Sequence, residues 1–546
     1  MKINKAGVRT AKPSALSPVT TVAKDLKTFE GAAAYSRDAK SDLFLLGTTS
    51  FFGEDTFYEK ANVRNDRFIG LVHRVAKEDP DWLLAFLPWL RGTANIRTAS
   101  VVAAVEAAKV MAQAGQPGAE VGAARRVIRE TLHRPDEAAE ALAYYLTTYG
   151  KKIPNPIRRG IADVVVRTYT ERSFIKWDSD RAAVRMADVI ELTHPKPGRT
   201  LSSRVRNSNQ SLLFKYIVDS RHRPTVVPHE LSVLKSREML LATEDKLSFI
   251  NGISDDPERV AGVLSSAGMT WEQVSSWGAF TGKTWEALIP TMGYMALLRN
   301  LRNFQDKGVS DKVLKQVAMR IGDQTEVLNS RQLPYRFLAA HLAATHPVWA
   351  LSLDSALQYS TANIPALGGR TLVLVDTSGS MTSGGLSANS KITPMMAGAL
   401  FGVALASKGE NVDLYGFADY AFPQEVRRNA GVLRTVEAFC RRSGEAGHGT
   451  QIAASVKQTY AGHDRVVIVT DMQTFGSGYN FYGGDVGSQV PANVPVYAFN
   501  MQGYAPAMLE TGSTRHELGG LTDHTFRMIP LIEAGTTAGW PWEENQ

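Results

Sequence analysis

The stretch "RTLVLVDTSGSM", residues 370–381, decides the architecture. Four apolar residues, Leu372 to Val375, run without a break into Asp376, Thr377, Ser378, Gly379 and Ser380. An unbroken apolar run of this length reads as a strand buried on both faces, the kind found inside parallel sheets. The polar cluster at its end asks for a function. Downstream, "NVDLYGFA" (411–418), "DRVVIVTD" (464–471) and "VPVYAFN" (494–500) repeat the strand signal. Helical segments are expected between and after them, near 393–408, 431–442, 450–460 and 521–533. This β-α-β-α order predicts a doubly wound parallel sheet covered by helices on both faces. Ligands of such sheets sit beyond the carboxyl ends of the strands, where "DTSGSM" and "TDMQTF" fall.

Asp376, Ser378 and Ser380 form a D-x-S-x-S pattern in which Gly379 lets the backbone curl so that alternate oxygens turn inward. A second loop, "GEAGHGTQ", delivers Thr450 to the start of a helix, and a third, "VIVTDMQ", ends a strand at Asp471. Two serines, a threonine and two carboxylates make an oxygen-only shell, which suits a hard divalent cation, Mg²⁺ first and Mn²⁺ second. Taken alone, D-x-S-x-S is also a polar turn that caps the next helix. The agreement of three loops in strand-end position favours the metal. His448 lies in the second loop, where a histidine among glycines is expected at the surface and not as a general base.

The preceding two-thirds of the chain has a different grammar. Residues 30–360 read as one helix after another, with strand-like alternation nearly absent. "TASVVAAVEAAKVMAQAG" repeats apolar residues at three- and four-residue spacings and is expected to stop near Gly115. "RPDEAAEALAYYLTTYG" places Pro135 in its first turn, Asp136 and Glu137 beside the positive end of the helix dipole, and Gly150 at its end. Many short helices without strands predict stacked antiparallel pairs, an irregular solenoid.

The chain has 546 residues and a net charge of +7, too long for one core. Residues 361–546 carry 12 Lys and Arg against 16 Asp and Glu, a net of −4, which leaves +11 on residues 1–360. A polyanion would bind that basic part, because neutralising phosphates releases condensed counterions. A merely basic soluble surface is the other reading. The single cysteine, Cys440, excludes an intramolecular disulfide framework and a cysteine-rich zinc site, and it suits a reducing cytoplasm. No secretory signal is visible at the N-terminus, and no apolar run is long enough to span a bilayer.

The loops around Asp376, Thr450 and Asp471 resemble the metal-ion-dependent adhesion site of von Willebrand factor A domains. That resemblance implies that Ser378, Ser380 and Thr450 ligate the metal directly, with Asp376 and Asp471 acting mostly through water. Met472 and Gln473 depart from the family, which often has a small residue and an acid there, so the rim of the site is expected to differ. An open metal position invites an acidic group, which implies binding and not catalysis.

The helical part is similar to the TROVE module of the Ro autoantigen family, its bacterial members above all. The phrases that carry this are "RRGIADVVVRTY", "ADVIELTHPKP", "WEALIPTMGYMALLRNLRNF" and "LPYRFLAA", and "NIPALGGRTLVLVDTSGSM" matches the junction into the second module. The resemblance implies a basic N-terminal segment (1–29), a HEAT-like helical ring (30–362) and a von Willebrand A domain (363–546). It also implies a monomeric, cytoplasmic, non-enzymatic RNA-binding scaffold in RNA quality control. Its RNAs would be small Y-type RNAs and the single-stranded 3′ ends of misfolded or structured RNAs. The exonuclease polynucleotide phosphorylase would be its partner. The alternative is a metal-dependent protein-interaction module whose Mg²⁺ captures an acidic residue of a partner.

By the same resemblance, the Y RNA surface falls on Lys176, Arg181 and His194 of "FIKWDSDRAAVRMADVIELTHPKP", with one extra residue between Lys176 and Arg181. Lysine and arginine would meet phosphates and histidine an unpaired base. A solvated helix face, and a turn histidine, are the bland readings. Arg158 and Arg159, and Arg299 and Arg302, are further basic candidates for the ring interior. The last two are three residues apart on one helix face, where intramolecular salt bridges are equally expected. "GAFTGKTWEA" (278–287) imitates a phosphate-binding loop but is one residue short and follows no strand, so it is expected to be ordinary helix. An intrinsic nuclease is not expected, since no paired acidic cluster with a basic helper is present.

Overall fold

The computed structural model describes residues 16–49, 52–113, 122–197, 208–246, 248–249, 256–387, 390–427, 431–474, 486–534 and 539–543. The expected stop at Gly115 and the basic residues before Leu16 lie outside them. The chain divides into two compact units. One comprises residues 1–71, 333–338 and 357–546, and the other residues 72–332 and 339–356.

The first unit is built on a six-stranded sheet. In chain order its strands are β3 (Arg370–Asp376), β4 (Asn411–Phe417), β5 (Ala421–Pro423), β6 (Arg465–Thr470), β7 (Val496–Asn500) and β8 (Arg515–Gly519). They lie in the order β5-β4-β3-β6-β7-β8, all parallel except β5, which pairs antiparallel with β4. From the first strand, β3, the chain goes out to β4 on one side and to β6 on the other. The topological switch point is therefore between β3 and β6, where such sheets bind ligands. The apolar runs became strands for the expected reason: Leu372 to Val375 and Val466 to Val469 are fully buried. Helix Pro394–Lys408 lies against the sheet at close range. A Cβ on Gly402 would fall 2.5 Å from Val375 and one on Gly398 3.1 Å from Val469, so small residues set that distance.

The helical part was expected to begin at residue 30 and this unit at residue 363, but residues 30–71, 333–338 and 357–362 also belong to this unit. β1 (Thr21–Lys27) and β2 (Ala33–Arg37) form an antiparallel hairpin, so the first 360 residues are not free of strands. Tyr35 and Ala507 exchange backbone hydrogen bonds at 2.9 and 3.0 Å. The buried Arg37 guanidinium grips Glu517 of β8 at 2.6 and 2.7 Å and donates to the carbonyls of Tyr504, Ala505 and Pro506. Helix Ala39–Thr49 then packs on β8. A buried ion pair of this kind fixes which surfaces meet, and losing one partner strands the other charge.

The second unit is helical. Helix Pro80–Gly92 starts where the Asp79 side chain accepts from the Trp82 N–H, with Pro80 at its first position. Helix Thr98–Met111 ends at Ala112, ahead of the stop expected near Gly115, whereas helix Pro135–Tyr149 follows its expected span and ends at Gly150 with φ +78°. Helix Asn155–Thr168 contacts helix Ala123–Thr131 closely because residue 160 is glycine: a Cβ there would sit 2.9 Å from the Arg125 carbonyl and from Ile128. The segment "WEALIPTMGYMALLRNLRNF" is two helices, Gly282–Leu288 and Tyr294–Asp306, joined by a short 3₁₀ turn at Pro290. Thr281 caps the first of these, with Thr284 returning the hydrogen bond, and Trp285 is buried, so the phosphate-loop imitation is a capped core helix. Among the described residues no helix is long and apolar enough to cross a membrane.

Candidate functional site

The three loops expected to converge do so at the switch point. The Gly379 N–H donates to the His448 carbonyl at 2.9 Å, tying the first loop to the second. The Thr474 hydroxyl donates to the Thr450 carbonyl at 3.1 Å, tying the third loop to the second. The Gln451 N–H donates to the Ala418 carbonyl at 2.9 Å, which anchors the residue after Thr450 to the end of β4. Asp376, Ser378, Ser380, Thr450 and Asp471 are all buried. His448 contributes its backbone here and its side chain is exposed, as expected for a rim histidine.

Within the site, Asp376 accepts from the Ser378 N–H at 2.8 Å through Oδ1 and from the Thr470 hydroxyl at 2.6 Å through Oδ2. The Ser378 and Ser380 hydroxyls lie 3.3 Å apart. Asp471 Oδ1 accepts from the Gln473 N–H at 3.1 Å, while Oδ2 is buried and finds no hydrogen-bond partner among the described residues. Both carboxylates are pushed above the usual range, Asp376 by burial and Asp471 by burial and then by the charge of Asp376. Met472 is fully buried and left-handed at φ +69°, a strained conformation for a side chain of that size. It turns the backbone sharply after Asp471.

This geometry fits a divalent cation. Two buried carboxylates with no positive neighbour among the described residues repel each other, one carboxylate oxygen has no hydrogen-bond partner among them, and the Ser378 and Ser380 hydroxyls face one another beside them. Ser378, Ser380 and Thr450 are the residues that would hold Mg²⁺, with Asp376 and Asp471 supplying its counter-charge.

Sequence reasoning missed the residues that surround these five. Gln473 is fully buried; its amide donates to the Asp471 carbonyl and accepts from the Phe29 N–H at 2.9 Å. Tyr58 lies beside Ser380 and in the field of Asp471, and Tyr504 feels the same charge. Residues 29 and 58 are hundreds of positions from the loops they cover, residue 504 lies on a different loop after β7, and no local pattern marks them.

The basic candidates fall in two groups. Arg158 and Arg159 lie on helix Asn155–Thr168, Lys176 at the end of helix Glu171–Trp177, and His194 just after helix Met186–Thr193. The first and third of these helices pack on one another, and helix Pro135–Tyr149 touches all three. Arg159, Lys176, Arg181 and His194 are exposed. Arg158 turns back to Asn155 at 2.5 Å. His194 is left-handed at φ +50° and caps its helix, so backbone geometry explains its place. The indole of Trp177 has two cations against it, the Arg134 guanidinium at 4.4 Å and the Lys176 ammonium at 4.8 Å. Neither Arg134 nor Trp177 was expected at this surface; "HRPDE" and "FIKWD" were the available signals. Arg299 and Arg302 share exposed positions on helix Tyr294–Asp306, away from this group in the helix packing, and Arg302 pairs with Asp306 at 3.2 Å.

A helical, basic part followed by an α/β part with an oxygen-lined site at its switch point is a recognisable combination. Residues 262–363 match the family model described as TROVE domain. The structure superposes on the Deinococcus radiodurans Ro (RSR) protein with a TM-score of 0.60 and 18% identity, covering 89% of this chain and 100% of that one. A 74-residue stretch is 39% identical to telomerase protein component 1 of Mus musculus, and the Rattus norvegicus protein matches over the same length at the same identity. Those alignments cover 13% of this chain and only 3% of the length of either telomerase protein. Residues 262–363 thus carry the likeness to the TROVE domain, and the fold of the chain is similar to that of the Ro protein.

Proposed function

We propose that this chain is an RNA-binding scaffold without catalysis of its own. Its helical unit takes small structured RNA, Y-type RNA included, and the single-stranded 3′ ends of misfolded RNAs. The observation that supports this best is the set around the half-buried Trp177, where exposed Lys176 and the half-buried Arg134, itself paired with Asp136 at 2.9 Å, lie against one indole and exposed Arg181 and His194 follow in the chain. Cations against an aromatic ring give phosphate contacts and a stacking surface together, the combination that single-stranded RNA requires. The net charge of +11 on residues 1–360 is of the matching sign. Arg158, Arg159, Arg299 and Arg302 would extend the basic surface.

The α/β unit would hold Mg²⁺, or Mn²⁺, through Ser378, Ser380 and Thr450. In a cell the scaffold would act in the cytoplasm in RNA quality control, as a monomer, passing RNA to an exoribonuclease such as polynucleotide phosphorylase. The test is binding of a small structured RNA with a 3′ single-stranded tail to the full chain over a salt series. Steep loss of affinity with salt is expected. Affinity that is absent, or independent of salt, would remove the proposal.

A further inference from the structure

The candidate metal site is covered by the chain's own N-terminal loop. Thr28 to Ala32 make a tight turn: the Thr28 N–H donates to the Ala32 carbonyl at 2.8 Å, and Gly31 takes φ +86°. The loop is pinned to the third metal loop by two bonds, the Phe29 N–H to Gln473 Oε1 at 2.9 Å and the Thr28 hydroxyl to the Thr474 carbonyl at 2.8 Å. The Phe29 ring stacks flat on Tyr58, with centroids 4.9 Å apart and planes 4° from parallel. Tyr504 meets both rings edge-on, at 5.7 and 5.5 Å. Beneath these rings, Ser380 is 3% exposed and Asp471 0%.

The turn also delivers an acid. The Tyr58 hydroxyl donates to Glu30 Oε1 at 2.5 Å, and the same phenol oxygen is within reach of the Ser380 hydroxyl. Because the Tyr58 proton goes to Glu30, the phenol oxygen keeps its lone pairs for the Ser380 hydroxyl, which also has Asp471 as a neighbour. A serine that gives its lone pair to a cation becomes a stronger donor and needs an acceptor on its far side. The relay supplies one, and outer partners of this kind orient a ligand and raise its basicity.

We propose that Glu30, acting through Tyr58 on Ser380, is a built-in positioning carboxylate for the metal, and that the 28–30 loop caps the position an outside acid would take. This rests on the metal reading above. It makes the site self-contained: an acidic residue of a partner protein must first displace the N-terminal turn.

The experiment uses the full chain, stripped with chelator and titrated with Mn²⁺, reading both affinity and the water-proton relaxivity of the bound ion. Wild type is expected to bind one Mn²⁺ of low relaxivity that acetate does not alter. Glu30→Gln and Tyr58→Phe, each checked for an unchanged melting profile, are expected to weaken Mn²⁺ about 10- to 100-fold. In both, relaxivity rises as water reaches the ion, and acetate then lowers it again. Glu30→Asp is expected to recover part of the affinity. Equal affinity and relaxivity in wild type, Glu30→Gln and Tyr58→Phe overturn the inference and leave the metal site standing. Failure of wild type to bind Mn²⁺, or binding that survives Ser378→Ala with Ser380→Ala, overturns the metal reading and the inference with it.

Discussion

The Thr470 hydroxyl donates to Asp376 Oδ2 across 94 residues of sequence, at 2.6 Å. The last residue of β6 thus holds the last residue of β3, and the two strands on either side of the switch point present their acids as one unit. The consequence is a pair of buried carboxylates, Asp376 and Asp471, with no positively charged partner among the described residues.

A cation is the natural counter-charge for that pair, so added metal is expected to stabilise the fold. Mg²⁺ or Mn²⁺ at about 100 times its Kd is expected to add about 2.7 kcal/mol to unfolding. Ser378→Ala with Ser380→Ala should abolish that gain. Thermal melts with chelator and with metal check it; a gain that persists in the double variant contradicts the assignment.

At the helical surface, Lys176→Ala with Arg181→Ala removes two exposed cations without touching a buried side chain. The log–log slope of RNA affinity against salt is expected to become shallower by about 2. Trp177→Leu keeps the charges and removes the stacking face, so it should weaken single-stranded RNA more than duplex. Filter binding with both RNAs separates the two effects, and an unchanged slope in the double variant would sink the surface.

Arg37→Met leaves Glu517 buried with the Asn500 amide, at 3.1 Å, as its one remaining side-chain partner among the described residues. The expected cost is about 3–5 kcal/mol, measured by denaturant unfolding. A loss below about 1 kcal/mol, the scale of a surface pair, would show that the N-terminal hairpin is not fastened to β8 in solution.

His516 is buried against Tyr497, with ring centroids 5.1 Å apart, and is held at about 4 by burial and by Arg515. Its ordinary value is 6.5, so between pH 6.5 and 4 the unfolded chain binds a proton that the folded chain does not. Stability therefore falls as pH drops through that window, by on the order of 3 kcal/mol for this group when the fall is complete. His516→Phe is expected to flatten the acid limb of the denaturant midpoint; an unaltered limb contradicts the shift.

Much of this was legible in sequence for a physical reason. β3, β6 and β7 are buried on both faces, and such strands write themselves as apolar runs; the polar ends of β3 and β6 then locate the candidate metal loops. β8 was missed because "RHELG" reads as a polar segment. It is buried only because distant groups satisfy it: Arg515 donates to the carbonyls of Gly487, Val490 and Val494, and Glu517 takes Arg37. The hairpin β1–β2 was missed because β1 is mostly exposed and carries no buried face. The cap over the metal loops was invisible for the same reason as β8, since Glu30, Tyr58 and Ser380 meet only in the folded chain. Basic residues were easy to find, but sequence could not separate Arg302, already paired with Asp306, from Lys176, which faces an indole.

The most direct test of the central claim is ultraviolet crosslinking of the full chain in cells, with sequencing of the attached RNA and mass-spectrometric mapping of the crosslinked peptides. The account predicts small structured RNAs and crosslinks concentrated between residues 171 and 197. No recovered RNA, or crosslinks confined to residues 361–546, would contradict it.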